Sequence, residues 1–200
     1  MITTKYCEPI QGQEVSAHKQ INIVVIGDFG AGKTAFIDRF IKNIFSDQAY
    51  VPPVGGSSDQ DTYRKIVALP GKSVQLNITE EYGQYRHSQN PGKNFCGANA
   101  VVLVCDVTVA SSMRKEWIEE ARKNVENASC YLVATKCDLT TRRVIESNQV
   151  EEFAKAHTLT GIFEVSSKTG ANVEKAFSQI AEFELNRSGQ QEDTSVCSMM

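Results

Sequence analysis

Eight consecutive residues near the start of the chain combine glycines, a lysine and a hydroxyl in an arrangement suited to phosphate chemistry. The segment Gly27–Thr34 has the sequence GDFGAGKT and satisfies the pattern GxxxxGK[ST]. Glycines allow backbone N–H groups to surround phosphate oxygens, the Lys33 side chain adds a positive charge, and the Thr34 hydroxyl can ligate Mg²⁺. The pattern predicts that every residue after the first glycine contacts the phosphates of a nucleotide: Asp28, Phe29, Gly30, Ala31, Gly32, Lys33 and Thr34.

The surrounding elements decide between this phosphate loop and a glycine-rich turn that carries a lysine by accident. Before it, INIVVIG at 21–27 is continuously apolar and β-branched, which is typical of a parallel strand buried on both faces. After it, apolar residues recur at helical spacing: Phe36, Ile37, Phe40, Ile41 and Ile44. A strand therefore leads into a helix through the glycines, and the helix N-terminus favours a bound phosphate.

The rest of the chain continues this alternation of strands and helices. TYRKIVAL and KSVQLNIT flank Pro70-Gly71 as a hairpin. Three later apolar runs (AVVLVCDV, CYLVAT and IFEV) alternate with helical segments near 112–126, 147–157 and 172–185. The pattern predicts a three-layer α/β fold in which helices cover both faces of a six-stranded, mostly parallel sheet.

Two further short motifs follow buried strands. Thr135-Lys136-Cys137-Asp138 comes directly after CYLVAT, and Ser166-Ser167-Lys168 comes after IFEV. Each alone is typical of a surface loop between a strand and a helix. The phosphate loop by itself leaves ATP-dependent kinases, ATPases and GTPases open, so the function depends on what these two motifs recognise.

In their order and spacing, these motifs resemble the [NT]KxD and SAK elements of the Ras superfamily of small GTPases. The resemblance implies that the Asp138 carboxylate accepts hydrogen bonds from guanine N1 and N2, which adenine cannot supply. It also implies that the Lys136 stem covers the base and that a backbone amide in Ser166–Lys168 meets guanine O6. Phe45 matches the family's aromatic residue beside the base; alternatively, it continues the apolar stripe of the preceding helix.

The resemblance extends from Ile21 to Leu185 and is closest to the Rab branch. GDFGAGKT is nearer to the Rab form GDSGVGKT than to the Ras form, and QYRHSQNPGKNFCGA at 84–98 fits Rab spacing without a gap. This resemblance implies GTP or GDP as ligand and Mg²⁺ as cofactor. It also implies effectors, exchange factors and GTPase-activating proteins as partners.

The regions that match the family's two switch loops depart from its pattern. The threonine expected to contact Mg²⁺ and the γ-phosphate falls on Pro52 or Pro53, and proline offers neither a hydroxyl nor an N–H. The family's DTAGQE reads Glu80-Glu81-Tyr82-Gly83-Gln84-Tyr85 here. The resemblance therefore assigns Glu80 to the metal, Gly83 to the γ-phosphate and Gln84 to the attacking water.

Phe29 stands where Ras proteins have glycine and Rab proteins mostly a small residue. Its benzyl group would crowd the space that an in-line water and an arginine finger require, which predicts slow hydrolysis. Alternatively, Phe29 folds outward and has no catalytic effect.

Composition places the chain in a broad class. With 41% hydrophobic residues among 200, it fits one globular domain, and its net charge of −3 argues against nucleic acid as a partner. The six scattered cysteines lack metal-type spacing and favour a reduced, cytosolic compartment. We expect a flexible arm at 1–20, a GTPase domain at 21–185 and a disordered tail at 186–200.

The tail carries a candidate lipidation site. Cys197-Ser198-Met199-Met200 resembles a CaaX box, in which a terminal methionine favours farnesylation, although a cysteine also falls fourth from the end by chance. The expected location is the cytoplasm, with peripheral attachment to the cytoplasmic face of membranes. No polybasic segment supports the lipid, and one chain alone binds a membrane only marginally.

The leading hypothesis is therefore a guanine-nucleotide switch that hydrolyses GTP slowly and acts in membrane trafficking. A pseudo-GTPase scaffold, which binds nucleotide without a hydrolysis cycle, is the alternative that Phe29 and the two prolines favour. An ATP-dependent kinase or ATPase is a third hypothesis, which Asp138 disfavours.

Overall fold

The structure is a computed structural model that describes residues 19–47, 62–81, 95, 97–125 and 127–196, with side chains described up to residue 188. In these ranges the strands are β1 (Lys19–Ile26), β2 (Thr62–Leu69), β3 (Lys72–Glu80), β4 (Ala100–Asp106), β5 (Ser129–Thr135) and β6 (Gly161–Glu164). The helices are α1 (Lys33–Lys42), α2 (Lys115–Asn124), α3 (Ser147–Ala156) and α4 (Val173–Val196).

The strands form one sheet in the order β2-β3-β1-β4-β5-β6. The hairpin pairs β2 with β3 antiparallel, and the pairings β1 with β3, β1 with β4, β4 with β5 and β5 with β6 are parallel. The predicted fold class is therefore confirmed. Because parallel strands end at one edge of a sheet, the loops after β1, β3, β4, β5 and β6 meet along that edge.

Helices cover both faces of this sheet, as the alternation of side chains along β1 requires. Ile23 and Val25 belong to the core cluster that Phe36 of α1 and Phe177 of α4 also join. Val24 and Ile26 belong to the opposite cluster, together with Ile118 of α2 and Val150 of α3. Phe177 stacks between Phe36 and Phe40, with ring centroids 4.6 and 4.0 Å apart, so the phosphate-loop helix is fixed directly against α4.

The ends of helices α1, α2 and α4 differ from the sequence-based expectation. Helix α1 ends at Lys42 because Asn43 adopts a left-handed conformation with φ of 53°, and Ile44 is consequently 52% exposed instead of joining the stripe. Helix α2 is also shorter than the predicted 112–126, because residues 110–112 form a separate 3₁₀ turn.

Helix α4 continues to Val196, beyond the end near residue 185 that its sequence pattern predicts. Arg187 provides the physical reason. Its guanidinium donates hydrogen bonds to the carbonyl oxygens of Asn127 and Asn99, so the helix is attached to the sheet beyond the expected end. None of the helices in the described part of the chain combines the length and apolar character that crossing a bilayer requires.

Candidate nucleotide-binding site

The phosphate loop, Gly27–Thr34, begins at the end of β1 and ends in the first turn of α1. Gly27 has a φ of +142°, and a Cβ there would lie 2.3 Å from the Val104 carbonyl oxygen, so only glycine fits. The Lys33 ammonium donates to the carbonyl oxygens of Gly27 (3.0 Å) and Asp28 (3.1 Å). Burial lowers the pKa of Lys33, because it disfavours the charged form.

A hydroxyl and a carboxylate meet beside this loop. The Thr34 hydroxyl donates to Glu80 Oε1 at 2.8 Å, and Glu80 is a buried residue at the end of β3. The register of β1 and β3 brings these two groups together, because Glu80 pairs with Val25 of β1, two residues before Gly27. Mg²⁺ prefers such hard oxygen ligands, so this donor pair fits the predicted metal.

The loop after β5 contacts the phosphate loop through two side chains. The Thr135 hydroxyl donates to the Ala31 carbonyl oxygen at 2.6 Å. The Lys136 ammonium donates to the Gly30 carbonyl oxygen at 2.9 Å and to Asp106 Oδ2 at 2.5 Å. The first two residues of the predicted base motif therefore support the phosphate loop in this structure.

Asp106, at the end of β4, is a site residue that the sequence analysis did not identify. It is buried, and its Oδ1 accepts hydrogen bonds from the Thr108 backbone N–H and hydroxyl. Burial alone would raise the pKa of Asp106, but hydrogen bonds from Lys136 and Thr108 lower it below its ordinary value. The sequence does contain a signal for this residue, because Asp106 ends an apolar strand, and ligands bind at the carboxyl edge of such a sheet.

Asp138, the last residue of that motif, lies beside the other predicted base segment, which is named the base loop (166–171). The Ser166 hydroxyl donates to Asp138 Oδ1 at 2.7 Å and accepts from the Thr169 backbone N–H at 3.1 Å. The loop closes on itself, since the Gly170 N–H donates to the Ser166 carbonyl oxygen at 2.8 Å. One oxygen of the Asp138 carboxylate is thus fixed by the base loop.

The remaining wall of this region follows α1. Phe45 lies three residues beyond the helix end and is half-buried, so it does not continue the helical stripe as the alternative interpretation required. Lys168 forms an ion pair with Asp47 at 3.4 Å, and both side chains are exposed. This ion pair therefore connects the segment that contains Phe45 with the base loop on the solvent-exposed side.

Helix α2 contacts the phosphate loop at Asp28. The Trp117 indole N–H donates to Asp28 Oδ1 at 2.9 Å, and the Arg114 guanidinium lies 3.6 Å from the same oxygen. Neither contact is predicted by a local sequence pattern. Phe29, the next loop residue, is 61% exposed.

Some predicted site residues fall outside the described ranges. These are Pro52 and Pro53 of the first switch region, Gly83 and Gln84 of the second, and Cys197 of the tail. Their roles stay predictions.

Fold and site together define a class of protein. A glycine-rich loop between a buried strand and a helix, followed by lysine and threonine, is the phosphate-binding arrangement of P-loop nucleotide-binding proteins. The oxygen pair of Thr34 and Glu80 and the Asp138 carboxylate lie at the same sheet edge.

Comparison with known proteins places the chain within that class. The family model described as Ras family matches residues 22–185. Ras-related protein Rab-13 of Bos taurus is 30% identical over 170 residues, which cover 84% of this chain and 81% of that protein. The chain belongs to the Ras family and is a Rab-like small GTPase.

Proposed function

We propose that this protein is a guanine-nucleotide switch that binds GTP or GDP with Mg²⁺, hydrolyses GTP slowly, and acts in membrane trafficking through effectors. The observation that carries the proposal is the hydrogen bond from Ser166 to Asp138. It fixes a carboxylate, the group that matches guanine N1 and N2, on a loop at the same sheet edge as the phosphate loop. A wrong base would leave that carboxylate with an unsatisfied hydrogen-bonding site.

Each part of the site has a role in this proposal. Lys33 and the backbone of the phosphate loop bind the β- and γ-phosphates, and Thr34 and Glu80 hold the metal. When bound, Mg²⁺ would neutralise negative charge on the phosphates. Thr135, Lys136, Asp138 and the base loop, together with Phe45, bind the base, while Gln84 orients the attacking water and Gly83 donates to the γ-phosphate.

The scaffold hypothesis, a pseudo-GTPase without a hydrolysis cycle, also has an observation in its favour. Phe29 is 61% exposed on the phosphate loop, and in this hypothesis its ring occupies the space that an attacking water or an arginine finger requires. Pro52 and Pro53 supply no replacement for the threonine of the first switch region.

Single-turnover hydrolysis separates these two hypotheses. The bound nucleotide of the purified protein is first identified by chromatography, and GTP loss is then followed for the native chain and for Phe29→Leu, Phe29→Ala and Phe29→Gly. Slow native hydrolysis that accelerates as the side chain shrinks supports a switch with a crowded site. Each 1.4 kcal/mol of recovered transition-state stabilisation gives about a tenfold increase in rate.

Other outcomes contradict parts of the proposal. Bound guanine nucleotide without turnover in any of the four proteins supports the scaffold hypothesis. An adenine nucleotide, or none, in the purified protein contradicts guanine binding itself.

Membrane attachment through a prenyl group on Cys197, on the cytoplasmic face, is part of the same proposal. Cys197→Ser should remain in the soluble fraction after cell fractionation. The native protein should carry the added mass of a farnesyl group, and an unmodified mass with unchanged fractionation would contradict this part.

A further inference from the structure

Arg39, on the solvent side of α1, donates hydrogen bonds to two separate segments of the chain. Its Nε donates to the Ser167 carbonyl oxygen at 2.6 Å, and a terminal nitrogen donates to the Lys168 carbonyl oxygen at 2.7 Å. The other terminal nitrogen lies 3.1 Å from both the backbone and the side-chain oxygen of Asn43. One half-buried guanidinium therefore connects four oxygen atoms.

These two segments are the opposite walls of the proposed guanine site. Ser167 and Lys168 belong to the base loop, whereas Asn43 ends α1 and stands two residues before Phe45. Asn43 is held in a left-handed conformation, and its contacts with Arg39 help to fix the direction in which the chain leaves the helix. The guanidinium thus connects the base loop with the residue at which the Phe45 segment leaves the helix.

The connection continues to the carboxylate that faces the base. The base loop carries the Ser166 hydroxyl, which donates to Asp138 Oδ1 at 2.7 Å. A shift of this loop would therefore rotate the Asp138 carboxylate and move the loop amides together. The second connection between the same walls, Lys168 with Asp47, is exposed and screened by salt, whereas the hydrogen bond from Arg39 Nε to Ser167 is partly buried.

We propose that Arg39 is a positioning residue for base discrimination, which sets the width of the guanine site and the orientation of Asp138. This inference rests on the proposed guanine-binding function. Arginine is required because a planar fork reaches several carbonyl oxygens at once, whereas lysine presents a single ammonium group.

The test compares Arg39→Lys and Arg39→Gln with the native chain by displacement of a fluorescent GDP analogue. GDP, IDP and ADP are the competitors. The base of IDP keeps O6 and N1–H but lacks the 2-amino group, so the GDP-to-IDP affinity ratio reports the alignment of Asp138. Lys42→Ala is the matched control, because it removes from the same helix a positive charge whose ammonium group pairs with Asp38 and lies over the Tyr63 ring.

Loss of the two hydrogen bonds to the base loop should weaken GDP binding about tenfold in both Arg39 variants. The ratio of the GDP affinity to the IDP affinity should fall about fivefold, because a misaligned carboxylate no longer accepts a good hydrogen bond from the 2-amino group. Lys42→Ala should keep the native affinity and the native ratio.

A purely structural role would lower the melting temperature while GDP and IDP weaken by the same factor, and that result overturns the proposal. A native ratio in Arg39→Lys overturns it as well. A native chain that does not prefer GDP to ADP instead refutes the proposed function, so the two failures are distinguishable.

Discussion

Lys33 and Lys136 bring two ammonium groups to the phosphate loop by different routes. Lys33 belongs to the loop and donates to its own carbonyl oxygens, whereas Lys136 arrives from the loop after β5 and connects Gly30 with Asp106. Because burial lowers the pKa of Lys33, its charged form is disfavoured in this environment. A phosphate group beside it would favour the charged form and would therefore raise the pKa of Lys33 again.

Removal of the hydroxyl group should change the free energy of unfolding in opposite directions at the two adjacent serines of the base loop. Ser167 is buried, and its Oγ has no hydrogen-bond partner in the described part of the chain. Ser167→Ala should raise the free energy of unfolding by about 1 kcal/mol, because it removes an unsatisfied polar group from the interior. Urea unfolding with an unchanged m value measures the effect.

Ser166→Ala is the matched control for that prediction. Ser166 donates to Asp138 and accepts from Thr169, so its loss should destabilise the protein by about 1 kcal/mol. If Ser167→Ala destabilises to the same extent, its hydroxyl has a partner and the interpretation is wrong.

Helix α2 is coupled to the phosphate loop through Trp117 and Asp28. Trp117→Phe keeps the aromatic packing but removes the indole donor to Asp28, and Arg114 alone then holds that carboxylate. GDP should dissociate about fivefold faster, as expected for the loss of one hydrogen bond worth about 1 kcal/mol. The measurement is the release rate of a fluorescent GDP analogue.

Lys115→Ala controls for a general effect of changing α2, since Lys115 lies on the same helix and forms an exposed pair with Glu119. An unchanged release rate in Trp117→Phe would show that the contact does not hold the loop in its binding conformation.

A second pair of elements is joined by Arg143 and Glu164. Arg143 follows a 3₁₀ turn after β5 and donates two hydrogen bonds to Glu164 at the end of β6, just before the base loop. The Arg143 hydrogen bond is the main reason that the pKa of Glu164 lies below its ordinary value. The contribution of the Arg143–Glu164 pair to stability is therefore fully present above the pKa of a glutamate in the unfolded state, which is about 4.3.

The contribution of this pair should disappear in acid, as the pH falls through the lowered pKa of Glu164. Arg143→Gln should lower the free energy of unfolding by about 1 kcal/mol at pH 7 and by much less at pH 2. Arg142→Gln, which removes a charge from an exposed neighbouring position, should have little effect at either pH. An equal loss at both pH values for Arg143→Gln would argue against the ion pair as the cause.

Across the whole molecule, the sequence predicts the features whose residues are contiguous in the chain. Periodicity identified the strands and helices, and the phosphate loop and base motifs were complete within eight or fewer residues. Arg39 and Ser167 are 128 positions apart, Asp28 and Trp117 are 89 apart, and Asp106 and Lys136 are 30 apart. Such pairs depend on how the sheet is ordered, so no local pattern could indicate them.

The extension of α4 depends on the same kind of distant contact. Glu184 is buried, accepts a hydrogen bond from the Tyr131 hydroxyl at 2.9 Å and pairs with Arg187 at 2.8 Å. Arg187→Ala should lower the free energy of unfolding by about 3 kcal/mol, because it leaves a buried carboxylate without its cation. Chemical denaturation followed by circular dichroism measures the loss.

Adding Glu184→Gln to that variant should recover much of the stability, since the neutral amide still accepts from Tyr131. No recovery in the double variant would mean that Arg187 acts through its contacts with Asn99 and Asn127 instead.

Guanine recognition depends on Asp138 in the proposed function, and a change of the base is the sharpest test of that dependence. Affinities of native protein and Asp138→Asn are measured for GDP and for XDP, whose base replaces the 2-amino group with an oxygen. The native chain should prefer GDP, whereas Asp138→Asn should bind GDP about a hundredfold more weakly, because two guanine donors lose their acceptor, and should prefer XDP. Retained tight binding of GDP in Asp138→Asn, with no gain for XDP, would contradict the account.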